Sequence, residues 1–162
     1  MTINIQSLRE KIGLVNQEIF LFDGSIKENI CYPNEDINES LLNEVAHSSQ
    51  CMEFIEKLPH GFNTLIGERG QKLSVGQKQR IGIARALYEQ ADVLILDEAT
   101  SQLDVDTERK VIESIKASRS NMTILMISHR ITTLESCDQV IKLDKNYKIK
   151  IGSYKEVTTK FH

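Results

Sequence analysis

The chain lacks tryptophan, has two prolines, and carries three cysteines in 162 residues. Its aliphatic runs are short, as in Val93-Leu94-Ile95-Leu96, far below the ~18 residues a spanning helix needs. Nothing in it crosses a membrane by itself. Cys31, Cys51 and Cys137 are scattered and form no Cys-x-x-Cys pair, which argues against a zinc site or disulfide framework and fits a reducing cytosol. They read as small hydrophobes. The start, Met1 to Gln6, has neither the basic nor the apolar region of a secretory signal. Charge of one sign is also missing. Twenty Lys+Arg against 23 Asp+Glu leave a net charge of −3, so no nucleic-acid partner or polybasic membrane anchor is expected. What is present, 40% apolar and 27% charged residues, suits one soluble globular domain.

No repeat, low-complexity tract or flexible linker interrupts the chain. Leu8 to Phe22 reads as a short strand followed by a loop centred on Asn16-Gln17-Glu18. From Ser25 to Leu58 the pattern is helical, with Ile37, Leu41, Leu42 and Val45 at helix spacing, until Pro59-His60-Gly61 breaks it. Val75 to Gln90 predicts a helix with Ile81, Ala84, Leu87 and Tyr88 on its apolar face. Val93–Asp97, Thr123–Ser128 and Asp138–Leu143 read as strands, the first two buried on both faces. Val105 to Ser118 is helical and Asp144 to Tyr147 a turn. Strand–helix–strand alternation implies right-handed crossovers, a parallel sheet and an α/β fold. In such sheets ligands sit beyond the carboxyl ends of the strands.

Three segments carry chemistry. Val93–Leu96 delivers the adjacent carboxylates Asp97 and Glu98 to a strand end. In phosphate-transfer ATPases a carboxylate so placed holds Mg²⁺ and a neighbour polarises the attacking water; a buried strand ending by chance in acids would look the same. Leu73-Ser74-Val75-Gly76-Gln77 leads into a helix, with Ser74 and Gln77 at capping-box spacing. That helix start also offers free N–H groups and a positive dipole end to a phosphate, with Gly76 allowing close approach. Thr123–Ile127 is followed by Ser128-His129. An imidazole at that strand end could reach a terminal phosphate or be purely structural.

In order and spacing these segments resemble the ATP-binding cassette (ABC) ATPases. Leu73–Gln77 is similar to the signature Leu-Ser-Gly-Gly-Gln, with Val75 for the first glycine. Val93–Asp97 with Glu98 resembles the Walker B strand and its catalytic glutamate. Ser101-Gln102-Leu103-Asp104 resembles the D-loop, with Gln102 where alanine is usual. His129 stands at the switch-histidine position and Gln17 at that of the Q-loop glutamine. The resemblance implies a P-loop NTPase-like cassette fragment, a parallel sheet with flanking helices plus a helical subdomain. Residues 1–23 would be the Q-loop region, 24–76 the helical subdomain with the signature, and 77–162 the RecA-like C-terminal part. It implies ATP and Mg²⁺ as cofactors, Glu98 and His129 as catalytic, Asp97 and Gln17 at the metal, and Gln17, Ser74, Gly76, Gln77 and Asp104 as nucleotide-binding. Leu21–Ile30 and Ile66-Gly67-Glu68-Arg69-Gly70 resemble exporter-type rather than importer cassettes. The implied partners are a transmembrane domain, docked near Gln17 and Glu68, and a second cassette; the implied location is cytoplasmic, at the membrane face.

One family element is absent from these residues. None of the eight glycines is followed by lysine and no two stand five apart, so there is no Gly-x-x-x-x-Gly-Lys-Ser/Thr loop to neutralise phosphates. By motif order that loop belongs before Gln17, so the chain reads as N-terminally truncated, with an exposed sheet edge and apolar surface to be expected. Ile151–Val157 resembles the family's closing strand and turn. The alternatives are a catalytically silent fragment docking on an intact ABC protein, and a non-transport ABC ATPase of DNA maintenance, whose coiled-coil insertion has no heptad counterpart here.

Overall fold

The computed structural model describes residues 4–143 and 149–158. They form two compact units that divide between Ile127 and Ser128. The expected turn at Asp144 to Tyr147 lies outside the described residues.

The first unit opens with α1 (Ile5–Arg9), begun by the Asn4 side chain accepting from the Gln6 amide. This differs from the strand expected from Leu8, because the cap fixes a helical turn first and β1 covers only Ile12–Val15. β1 pairs in parallel with β2 (Val93–Asp97), with Val15 opposite Leu96. β2 pairs in parallel with β3 (Thr123–Ile127), with Asp97 opposite Ile127. The strand order is β1-β2-β3, and the link from β2 to β3 is α6 (Val105–Ser118).

Each strand presents alternate side chains to opposite faces. Val15, Leu94 and Leu96 are buried, with Ile124 and Met126 packed against the same core. The other face carries Leu14 at 56%, Leu125 at 49% and Ile127 at 48% exposure. The expectation that β2 and β3 are buried on both faces is therefore corrected. An all-aliphatic strand reports its own composition, whereas burial requires a second covering layer.

α5 (Val75–Tyr88) lies on the covered face, with Ile81, Ala84, Leu87 and Tyr88 buried as their spacing required. It comes close to β1 because Gly13 has no side chain; a Cβ there would stand 3.3 Å from the Ala86 carbonyl oxygen. Against α5 pack α2 (Ile26–Cys31) and α3 (Glu39–Ser48), followed by α4 (Met52–Ile55). α3 also meets α6, where the Ser48 hydroxyl donates to that of Ser118 at 3.1 Å and Gln50 Nε2 donates to Ser114 Oγ at 3.0 Å. Ile26, Ile30, Leu42, Ile81, Leu87, Leu94 and Ile115 belong to one continuous buried cluster.

A capping box starts α2. The Ser25 amide and hydroxyl both donate to Glu28 Oε2 at 2.7 Å, and the Glu28 amide donates back to Ser25 Oγ at 3.2 Å. The Ser25 hydroxyl, then its amide, hold the Glu28 carboxyl below its ordinary 4.5. With the folded value below the unfolded one, this contribution is complete above about pH 4.5 and fades as pH falls through the folded value. Urea midpoints compared between about pH 3 and pH 6 are expected to show a shallower acid-side loss for Glu28→Gln than for the parent chain.

In the second unit β4 (Val140–Leu143) pairs with β5 (Ile149–Gly152), and α7 (Tyr154–Thr158) packs on that pair. The pairing is antiparallel, with Ile141 opposite Ile151. The strand expected over Asp138–Leu143 is therefore present but belongs to a separate two-stranded sheet, because its hydrogen-bonding partner follows directly in sequence.

Candidate functional site

The parallel register of β1 and β2 sends both chains out at the same end of the sheet. Asp97 closes β2 with an exposed side chain and Glu98 follows it; Asn16 and Gln17 leave β1 one strand away, both exposed. Three of the expected residues, Gln17, Asp97 and Glu98, thus stand along one rim. Glu98 holds a left-handed backbone at φ 50°, a conformation that costs a non-glycine residue energy and persists only where surroundings fix it. They do so here. The Glu98 amide donates to the Ile127 carbonyl at 3.0 Å, and the Ser101 amide donates to the Glu98 carbonyl at 3.0 Å. Two residues beyond Glu98, the buried Thr100 hydroxyl donates to the buried Glu108 carboxylate of α6.

A second group gathers where α5 begins. The exposed Ser74 caps the helix, accepting from the Gln77 amide at 3.2 Å, while Gln77 Oε1 accepts from the Ser74 amide at 2.9 Å. The capping-box and phosphate readings of this segment are compatible, since the cap occupies one amide and leaves the dipole end open to solvent. Gly76 faces the loop after β2: a Cβ there would lie 3.3 Å from Leu103 Cδ2 and 3.4 Å from the Gln102 carbonyl oxygen. Asp104, in the same loop, caps α6 by accepting from the Thr107 amide at 2.9 Å. The Thr107 side chain, then its backbone, hold the Asp104 carboxyl below its usual 3.8.

His129 lies in the second unit, two residues beyond β3, with an exposed side chain. Beside it the Arg130 amide donates to Ser128 Oγ at 3.0 Å.

The two exporter-like segments meet. Ser25 and Leu65 form an antiparallel bridge, the Ile66 amide donates to the Gly24 carbonyl at 3.0 Å and the Ile26 amide to the Thr64 carbonyl at 3.1 Å. Gly70, at φ 64°, leaves room for Leu21, whose Cδ1 would lie 2.9 Å from an added Cβ. Beyond Gln17 a groove of about 200 Å³ runs between residues 14–20 and the later turns of α5, bordered by Ile19, Phe20, Gly82 and Arg85. Arg85 fixes that border. Its Nη1 donates to the Phe20 carbonyl at 2.9 Å and its Nε to the Asn29 carbonyl at 2.7 Å. Asn29 is fully buried and donates in turn to the Phe22 and Ser25 carbonyls. Burial pulls the Arg85 guanidinium below its ordinary range. Cys51 is fully buried and its thiol is pushed up to about 12 by desolvation.

Sequence reasoning passed over Asn29, Arg85, Glu108 and Gln79. The last carried a readable signal, being polar at a position whose helical neighbours Ile83 and Ala86 are all apolar and buried.

The parallel sheet with its flanking helices has the fold of an ABC cassette, of the P-loop NTPase-like class. The chain belongs to the ABC transporter family, whose sequence profile matches residues 1–101. It is 42% identical over 153 residues to the heterocyst differentiation ATP-binding protein HepA of Nostoc sp., covering 94% of this chain and 25% of that protein. To the ATP-dependent lipid A-core flippase of Alkalilimnicola ehrlichii it is 43% identical over 154 residues, covering 94% and 26%. A solved structure of a bacterial Atm1-family ABC exporter with ATP bound superimposes with a TM-score of 0.91 at 34% identity, covering 99% of this chain and 28% of that one. The chain spans about a quarter of the length of the curated relatives it matches. Among the described residues no helix is long and apolar enough to cross a membrane.

Proposed function

We propose that the chain serves as the ATP-binding cassette portion of an ABC exporter, working on the cytoplasmic face of a membrane against a transmembrane domain and a second cassette. The observation that carries this reading is the junction, within one unit, of two groups of candidate residues. The Gln17–Asp97–Glu98 rim and the Ser74–Gln77 helix start are joined by the single loop 98–104. As half-sites, the first suits the cassette's own nucleotide, the second the nucleotide held by a partner cassette.

Asp97 and Gln17 offer hard oxygen donors suited to Mg²⁺. Among the described residues no group of three or more His, Cys, Asp or Glu could hold a metal ion. A cation that arrives on phosphates takes one or two protein ligands. Bound there, Mg²⁺ would neutralise developing charge on the phosphates. Glu98 would accept a proton from the attacking water, and His129, at the switch-histidine position by resemblance, would offer its imidazole to a phosphate. Ser74 and the amides around Gly76 orient the partner's phosphate through the helix dipole. The groove beside Phe20 is the seat of the transmembrane domain, and its closeness to Gln17 links docking to nucleotide state.

Because the 162 residues contain no Gly-x-x-x-x-Gly-Lys-Ser/Thr loop, they hold ATP weakly and turn none over when alone. Isothermal titration with Mg-ATP tests this. The expected trace is flat to millimolar nucleotide; saturable tight binding with phosphate release would refute it.

A further inference from the structure

Gln79 lies on α5 just over one turn past Ser74 and is 1% exposed. Its Oε1 accepts from the Gln102 amide at 3.3 Å; the oxygen must face that group, because an N–H can only donate to it. The opposite end, Nε2, is buried without a hydrogen-bond partner among the described residues. A residue serving packing alone would be apolar here, since an apolar side chain of this shape has no polar end of its own to bury unpaired. The glutamine is therefore explained by the bond it makes across to the loop.

That loop starts at Glu98, whose left-handed backbone needs fixing, and ends at Asp104, the cap of α6. Gly76 lets the loop lie directly on the start of α5, through Leu103 and the Gln102 carbonyl. The geometry points to Gln79 as a positioning residue: it ties the loop carrying Glu98 to the helix carrying the signature, so that the two half-sites move as one body. This deepens the reading above, and its functional half rests on that reading. A phosphate settling on the start of α5 then bears on the loop of the neighbouring rim.

The test is amide hydrogen–deuterium exchange on the full chain without nucleotide, so its failure is distinguishable from failure of the nucleotide reading. Gln79→Met keeps the bulk and removes the acceptor. It is expected to lower protection at Gln102 by roughly tenfold or more, with Ile81 to Leu87 unchanged within about threefold. Gln79→Glu keeps an acceptor oxygen, and at about pH 5 its buried carboxyl retains a proton and the amide's shape; it is expected to restore protection at Gln102. Unchanged protection in Gln79→Met, or equal loss in both variants, would overturn the proposal. A loss spread evenly over α5, or outright unfolding of Gln79→Met, would also overturn it by marking the residue as core packing.

Discussion

Ser74→Asp is expected to leave the chain as stable as before and to weaken its nucleotide-dependent pairing with a complete cassette about 100-fold or more, since like charges brought together across an interface cost several kcal/mol. The two halves of this expectation have separate causes. Aspartate is as good an N-cap as serine, so the bond now made to the Gln77 amide survives, and a carboxylate favours the positive end of the helix. Yet the new charge stands where a phosphate would be received. Asn38→Asp is the matched control. Asn38 caps α3 in the same way, accepting from the Leu41 amide at 3.1 Å, and lies away from the signature in sequence. It is expected to change neither thermal midpoint nor pairing. Equal losses for the two variants would reduce the effect to net charge and remove the role assigned to Ser74.

Leu94→Ala is expected to cost about 2–5 kcal/mol, a core truncation whose cavity cannot fully close. Leu125→Ala, on the adjacent strand, is expected to stay within about 1 kcal/mol. The residues belong to paired strands, with Leu94 opposite Ile124 and Ile95 opposite Leu125, and differ in the face they take. Leu94 has no exposure and belongs to the continuous buried cluster, whereas Leu125 is 49% exposed. Urea unfolding midpoints with unchanged slopes separate the two. A cost at Leu125 matching that at Leu94 would mean that the second face is covered in solution.

That contrast marks where sequence stopped informing. Strand positions were legible because Val93–Leu96 and Thr123–Ile127 are apolar runs bounded by polar residues, and α5 was legible because Ser74 precedes a helical apolar stripe. Whether a strand has one covered face or two depends on residues distant in sequence, and the apolar run is the same either way. The pairing of β4 was unreadable for a similar reason, as the strand's composition suits either direction and only its bond to β5 decides. Asp97, Glu98, Gln17 and the Ser74 segment were singled out as candidates through spacing and resemblance. Asn29, Arg85 and Gln79 were not, because a buried polar residue declares itself only once its partner is placed. Gln102, which departs from the family's usual alanine, supplies a backbone amide to Gln79, a contact independent of its own side chain.

The most direct measurement of the central claim is sedimentation of the 162-residue chain with a complete cassette that carries its own phosphate loop, with and without Mg-ATP. Association is expected only with nucleotide and is expected to vanish with Ser74→Asp. Pairing that is indifferent to ATP, or that survives Ser74→Asp intact, would contradict the assignment of the α5 start as a phosphate-receiving face.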